Sequence, residues 1–267
     1  MWGDIAIAFM LAFIIAFVVT PYTIKLARKV GAIDIPKDER RINTKPMPRL
    51  GGLAVMLGFL VSIIYLLIIM SIENSINLFA EDNYFIKICG FGIGIIILGI
   101  TCFIDDVKGI HPLVKLSAQI LSAVIVVICG VRIDNLNIDF INELPWKDTF
   151  YTILTIGWIV GITNAINLID GLDGLSTGIS LISSISLLVI FSLNGSPIIS
   201  IILITALAGS LVGFLPFNFN PAKTFIGDVG SNFLGFALSV ISILRSCKNI
   251  YCNCNCCTAY STCASSF

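Results

Sequence analysis

Runs of about twenty apolar residues recur along this chain, and a run of that length is what an α-helix needs to cross the hydrocarbon core of a bilayer. They fall near residues 5–24, 51–70, 85–104, 114–131, 148–163, 176–193, 198–215 and 230–245. Composition agrees: 57% of the residues are hydrophobic and 12% charged, at a mean hydropathy of +1.00, where a soluble domain carries about a quarter charged. The expected fold is an all-α polytopic membrane protein of about eight transmembrane helices. Dividing length by a typical domain size does not apply to such a chain. The segment "TPYTIKLARKVG" after the first run shows no small-residue cleavage site, so that run is read as a mature helix and not a leader.

Lys/Arg bias in the short loops sets the orientation. The segment after the first span carries Lys25, Arg28, Lys29, Lys37, Arg40, Arg41, Lys45 and Arg49. Taking that loop as cytoplasmic and alternating gives cytoplasmic segments 25–50, 105–115, 164–175 and 216–229, with eleven basic residues against five on the other side. The N-terminus is then outside. The polar clusters of the chain all fall in the segments assigned to the cytoplasmic face.

The first cluster is "TCFIDDVKG", in which Asp105 and Asp106 directly follow an apolar span. Solvated carboxylates at a helix end would explain one such pair, but a Mg²⁺ site uses the same chemistry, because hard divalent cations take carboxylate oxygens and share them with substrate phosphates. The second is "NAINLIDGLDGLSTG", where Asn164, Asn167, Asp170 and Asp173 recur every three residues. At helical pitch that spacing gathers them on one face, which favours a ligand site over a plain turn. The third is "FNFNPAKTFIGDVGSNFLGF", in which Asp228 lies between Gly227 and Gly230 at the start of an apolar run. Backbone N–H groups at such a helix start can meet an anion, and Asn218, Asn220 and Lys223 add polar reach toward a nucleotide or phosphate. Together the clusters set five aspartates on one side of the membrane with few paired bases nearby. A Mg²⁺-dependent reaction of a phosphate-bearing substrate is the simplest account.

The segments "RLGG", "FIDDVKGIHPLVKLSAQI", "NAINLIDGLDGLS" and "FIGDVGSNFLGF", in that order over residues 20 to 244, resemble the motifs of the polyprenyl-phosphate N-acetylhexosamine-1-phosphate transferases. "KPMPRLGG" is more similar to the branch using UDP-GlcNAc than to the UDP-MurNAc-pentapeptide branch, which is typified by a "GTPTMGG"-like loop. The resemblance implies attack of undecaprenyl phosphate on UDP-GlcNAc, with undecaprenyl-diphospho-GlcNAc and UMP as products and Mg²⁺, or Mn²⁺ in its place, as cofactor. Asp105 and Asp106 match the family's acidic pair, with Asp106 as base or as organiser of the lipid phosphate. Asp228 matches its metal-ligand aspartate, with Asp105 beside it. Asn164, Asn167, Asp170 and Asp173 fall in its substrate-binding segment, and Lys45 and Arg49 are weaker matches that would meet phosphates or the anionic leaflet. The implied partners are UDP-N-acetylhexosamine, the polyprenyl phosphate and membrane lipid, with no nucleic acid and a homodimer left open. The implied location is the bacterial plasma membrane, multi-pass, with the active site cytoplasmic and the product initiating a cell-envelope polysaccharide or teichoic acid.

Two departures stand out. The first loop has Asn43 where members often carry a histidine. Members also continue for several more helices, with a His-x-His-His-type loop that helps to bind the substrate diphosphate. The single histidine, His111, is read as a loop residue at the start of the fourth span. Residues 1–245 are thus expected to form an incomplete transferase domain, and 246–267 an atypical Cys/Ser/Asn tail. Cys252, Cys254, Cys256 and Cys257 are packed too tightly for one tetrahedral zinc site. Written with A/T-rich codons and read one base later, "YCNCNCC" becomes the apolar Ile-Val-Thr-Val-Ile-Ala-Val, so the tail is expected to reflect a shifted reading frame. The alternatives are a phospho-MurNAc-pentapeptide transferase, a non-catalytic remnant, and, in another class, a carrier or channel lined by intramembrane acids.

Overall fold

The computed structural model describes residues 2–35, 46–72, 84–134 and 145–244. Among these residues the chain forms eight helices and one two-residue strand pair. The helices are α1 (Trp2–Val30), α2 (Gly51–Ile72), α3 (Tyr84–Lys108), α4 (Pro112–Ile128), α5 (Lys147–Ile169), α6 (Leu175–Leu193), α7 (Ile198–Asn218) and α8 (Gly227–Leu244). Strands β1 (Ile33–Asp34) and β2 (Met47–Pro48) pair antiparallel in the α1–α2 connection. Seven helices are long and apolar enough to cross a membrane. The exception, α4, has 17 residues, about 26 Å at helical rise against a hydrocarbon core of about 30 Å.

Three boundaries differ from expectation in ways that matter for the site. Helix α3 continues to Lys108, so Asp105 and Asp106 lie in its last turn instead of beyond it. Helix α5 runs to Ile169, which makes Asn164 and Asn167 helical. Helix α8 starts at Gly227 and takes Asp228 into its first turn. In each case the helix carries polar residues past the end of its apolar run, because partners on neighbouring helices accept them.

Helices α7 and α8 are the most buried, whereas α1, α5 and α6 each turn an apolar face outward. Lipid tails are as apolar as Leu, so helix association in a membrane depends on close packing more than on hydrophobic burial. Small residues supply it here. Ala8, Ala12 and Ala16 recur every fourth residue on α1 and are fully buried. A Cβ on Gly209 or Gly213 of α7 would overlap the carbonyl oxygens of Phe9 or Phe13 on α1. On the other side of the core, Phe59 of α2 lies 6.0 Å from Phe91 of α3 and 5.5 Å from Phe233 of α8, ring centre to ring centre.

The four connections α1–α2, α3–α4, α5–α6 and α7–α8 meet at one end of the bundle. Gly51 and Gly52 donate their amides to the carbonyls of Phe225 and Ile226, which satisfies two orphan groups at the start of α2. Phe225 N in turn donates to Pro48 O at 2.8 Å. The glycines of "RLGG" and "GDVGS" are needed for this approach, since a Cβ on Gly52 would collide with Gly230. His111, as expected, sits at the start of the fourth helix: it caps α4 by accepting from Leu113 N.

Candidate active site

The site is built around the start of α8. Gly227 holds φ at +70°, and a Cβ there would overlap the Arg49 carbonyl oxygen, so the chain can turn into α8 at this point only as glycine. The first amides of a helix lack intrahelical partners and carry partial positive charge. Asp106, from the last turn of α3, takes two of them: Oδ1 accepts from Asp228 N at 3.0 Å and Oδ2 from Val229 N at 3.1 Å. The anion expected at this helix start is therefore one of the protein's own carboxylates. The Asp106 side chain is fully buried.

Around it stand two more carboxylates and two cations. Asp105 Oδ1 accepts from Ile110 N at 2.9 Å, closing the turn after α3, while its Oδ2 lies 3.3 Å from Lys115 Nζ. The same ammonium pairs with Asp228 Oδ1. Asp228 Oδ1 also accepts from Asn167 Nδ2 at 2.9 Å, and Asn167 Nδ2 reaches Ser231 Oγ at 2.8 Å. Arg49 stands 3.9 Å from both Asp106 and Asp228, with its side chain 40% exposed. The expectation of few bases nearby is corrected here: Lys115 and Arg49 are both in place. Sequence distance hid their approach to the aspartates, since Lys115 lies on α4 and Arg49 precedes α2.

The three-residue spacing in "NAINLIDGLD" divides between two structures. Asn164 and Asn167 project from α5, and Asp170 and Asp173 belong to the turn that follows. Asp170 accepts from Ser176 Oγ at 2.6 Å. Burial pushes its carboxyl up to about 6, Ser176 opposes the shift, and the negative charge of Asp228 adds to it. Asp173 Oδ2 takes Asn220 Nδ2 and Ala222 N, each at 3.2 Å, and ties this turn to the α7–α8 connection. Asn218 is buried and occupied, accepting from Thr177 and donating to Thr224 O, and Lys223 lies over the Phe217 ring. The polar reach read for Asn218 is thus used up inside the loop. Lys45 and the cysteine tail lie outside the described residues.

Among the described residues no group of three or more His, Cys, Asp or Glu side chains forms a ready metal cage. Mg²⁺ does not require one: it keeps several waters and is held through one or two carboxylates plus substrate phosphates. Asp105 and Asp228 are such a pair of hard oxygen donors, and the Lys115 ammonium between them marks where their charges add. The four carboxylates of Asp105, Asp106, Asp170 and Asp228 outnumber the cations of Lys115 and Arg49 by two, leaving two negative charges when all are ionised. The donor chemistry fits a divalent cation.

Two residues here were not singled out in the sequence: Lys115, and Gln119 one turn further along α4, which donates to Asn164 Oδ1 at 3.3 Å. The available signal was a Lys and a Gln four apart, hence on one helix face, one turn inside an apolar span where polar groups are costly.

Residues 88–246, from α3 through the end of α8, match glycosyl transferase family 4. The chain belongs to that family. It is 36% identical over 249 residues to a "Probable undecaprenyl-phosphate N-acetylglucosaminyl 1-phosphate transferase" of Bacillus subtilis, across 92% of this chain and 64% of the relative. It is 33% identical to a "Decaprenyl-phosphate N-acetylglucosaminephosphotransferase" of Mycobacterium tuberculosis, across 90% of this chain and 60% of the relative. A "Phospho-N-acetylmuramoyl-pentapeptide-transferase" of Staphylococcus saprophyticus is 35% identical across 89% of this chain and 74% of its own length. The chain therefore spans less than two thirds of the length of the first two relatives. The aspartates 105, 106, 170, 173 and 228 all fall inside the family 4 segment, and Arg49 comes to it from outside.

Proposed function

We propose that this family 4 chain transfers GlcNAc-1-phosphate from UDP-GlcNAc to undecaprenyl phosphate at the cytoplasmic face of a bacterial plasma membrane. The observation that carries the proposal is the meeting of Asp105, Asp106 and Asp228 with Lys115 and Arg49 at one end of an apolar bundle. The name of the Bacillus relative supports the choice of sugar and lipid. The Lys/Arg bias supports the orientation.

In the reaction an oxygen of the lipid phosphate forms a bond to the β-phosphorus of UDP-GlcNAc, and the bond from that phosphorus to the bridging oxygen breaks. UMP leaves with the electron pair. A phosphate monoester has its second pKa near 6, so the lipid phosphate is mostly dianionic near neutral pH and needs little help from a base. Positioning and charge neutralisation then dominate, as in other phosphoryl transfers. Arg49, half-buried and facing the carboxylates, would hold substrate phosphate. Lys115 would keep Asp105 and Asp228 together and balance charge as the phosphates arrive. Asp106, buried with both oxygens on backbone amides, would anchor α8 and not remove a proton. Mg²⁺, held by Asp105 and Asp228, would supply additional neutralisation when bound. Asn167, at the end of α5, and Asp170, in the turn after it, would meet the nucleotide sugar.

UMP release from UDP-GlcNAc, measured in membranes carrying the full chain with added undecaprenyl phosphate and Mg²⁺, tests the proposal. Release that requires both substrates is expected. UDP-MurNAc-pentapeptide is the competing donor, suggested by the name of the Staphylococcus relative, and preferential turnover of it would overturn the sugar assignment. No release from either donor would overturn the transferase reading.

A further inference from the structure

Below the charged residues of the site lies a second layer that the proposed reaction does not use. Lys115 and Gln119 are four apart on α4, Asn164 and Asn167 three apart on α5, and Asp228 and Asn232 four apart on α8. One member of each pair builds the charged layer. The other member builds a layer of amides alone, one turn deeper. Gln119 Nε2 donates to Asn232 Oδ1 at 2.7 Å and to Asn164 Oδ1 at 3.3 Å, while Gln119 Oε1 accepts from Asn164 Nδ2 at 2.8 Å. Asn232 Nδ2 then donates to the backbone carbonyl of Asp228 at 2.8 Å. Gln119 is 2% exposed and Asn232 fully buried.

Resting on the transferase reading, we propose that Gln119, Asn232 and Asn164 are positioning residues, a neutral clamp that holds α4, α5 and α8 so that Lys115, Asn167 and Asp228 meet. Uncharged amides suit this place. A buried amide costs free energy unless it is hydrogen-bonded, so each of the three helices keeps its rotation and depth only while the chain of bonds from Asn164 through Gln119 to Asn232 is intact. A charged residue there would compete for Lys115 or repel Asp228. Both polar ends of Asn164 are taken by Gln119 and Val160 O, so its part in the reaction is to set Asn167, one turn further along α5, and not to touch substrate.

The full chain carrying Gln119→Leu, Asn232→Leu or both tests the clamp. Each single variant is expected to lower kcat about tenfold or more, the scale seen when outer partners of a site are lost, with KM for UDP-GlcNAc within about twofold. The double variant should be little worse than either single one, since residues acting as one unit are not additive. Gln119→Glu should fail to rescue, because Asn232 would have to turn its Nδ2 to the new carboxylate and release the Asp228 carbonyl. A KM change with kcat intact, or additive losses, would overturn the clamp. Hydrogen exchange gives a readout independent of turnover: in Gln119→Leu the amides of Asp228 to Asn232 should exchange at least about tenfold faster, with the second half of α8 unchanged. Unchanged exchange in that first turn overturns the clamp even if the wild-type chain releases no UMP, and that second result by itself would count against the transferase reading alone.

Discussion

At the residue scale, the site is governed by which carboxylate each cation and amide can reach. Lys115 is the shared partner of Asp105 and Asp228, so Lys115→Met is expected to cost about 10²–10³ in turnover, the range for removing one preorganised charge-stabilising group. UMP release at saturating donor checks it. Asp106 presents both oxygens to the first amides of α8. Replacing it with Asn turns an N–H toward a backbone N–H, and about 1–3 kcal/mol of stability should be lost. If Asp106 anchors α8, the activity of Asp106→Asn will not return at high pH; recovery there would reinstate it as a base. Burial pushes the Asp170 carboxyl up to about 6, above the ordinary carboxylate range. The fold thus favours its neutral form, and that stability is present at low pH and lost as pH rises through about 6. With chelator present, Asp170 should lower the wild-type thermal midpoint between about pH 4 and about pH 6, and Asp170→Asn should reduce that fall.

At the scale of elements, helix starts and small-residue seams decide what can meet. The start of α8 is fixed by Gly227 at positive φ and by a carboxylate from α3, and the start of α2 by amides given to Phe225 and Ile226. The α1–α7 seam depends on Gly209 and Gly213 lying against backbone carbonyls of α1. Gly213→Val would push these helices apart, at about 1–3 kcal/mol for an overpacked core, measurable as a lower unfolding midpoint in detergent. The existence and order of the helices were largely legible from hydropathy. Their ends were not, because Asp105, Asn164 and Asn167 remain helical only through partners on other helices, and no local pattern reports those partners.

At the scale of the whole molecule, an apolar bundle brings an excess of carboxylates to one end, and a divalent cation is the natural complement. Mg²⁺ or Mn²⁺ at about a hundred times its dissociation constant should stabilise the wild-type chain by about 2.7 kcal/mol and leave Asp228→Asn unshifted. An equal rise in both would remove Asp228 as a ligand, and no rise in either would remove the cation. The all-α polytopic class, the number of helices and the identities of the aspartates follow from residue order, because apolar run length and polar clusters are one-dimensional properties. Which aspartate faces a helix start, which meets Lys115, and that Asn164 looks inward to Gln119 are three-dimensional. They depend on how α3, α4, α5 and α8 rotate against one another, and in a membrane that rotation is set by close packing and hydrogen bonds between residues far apart in the chain.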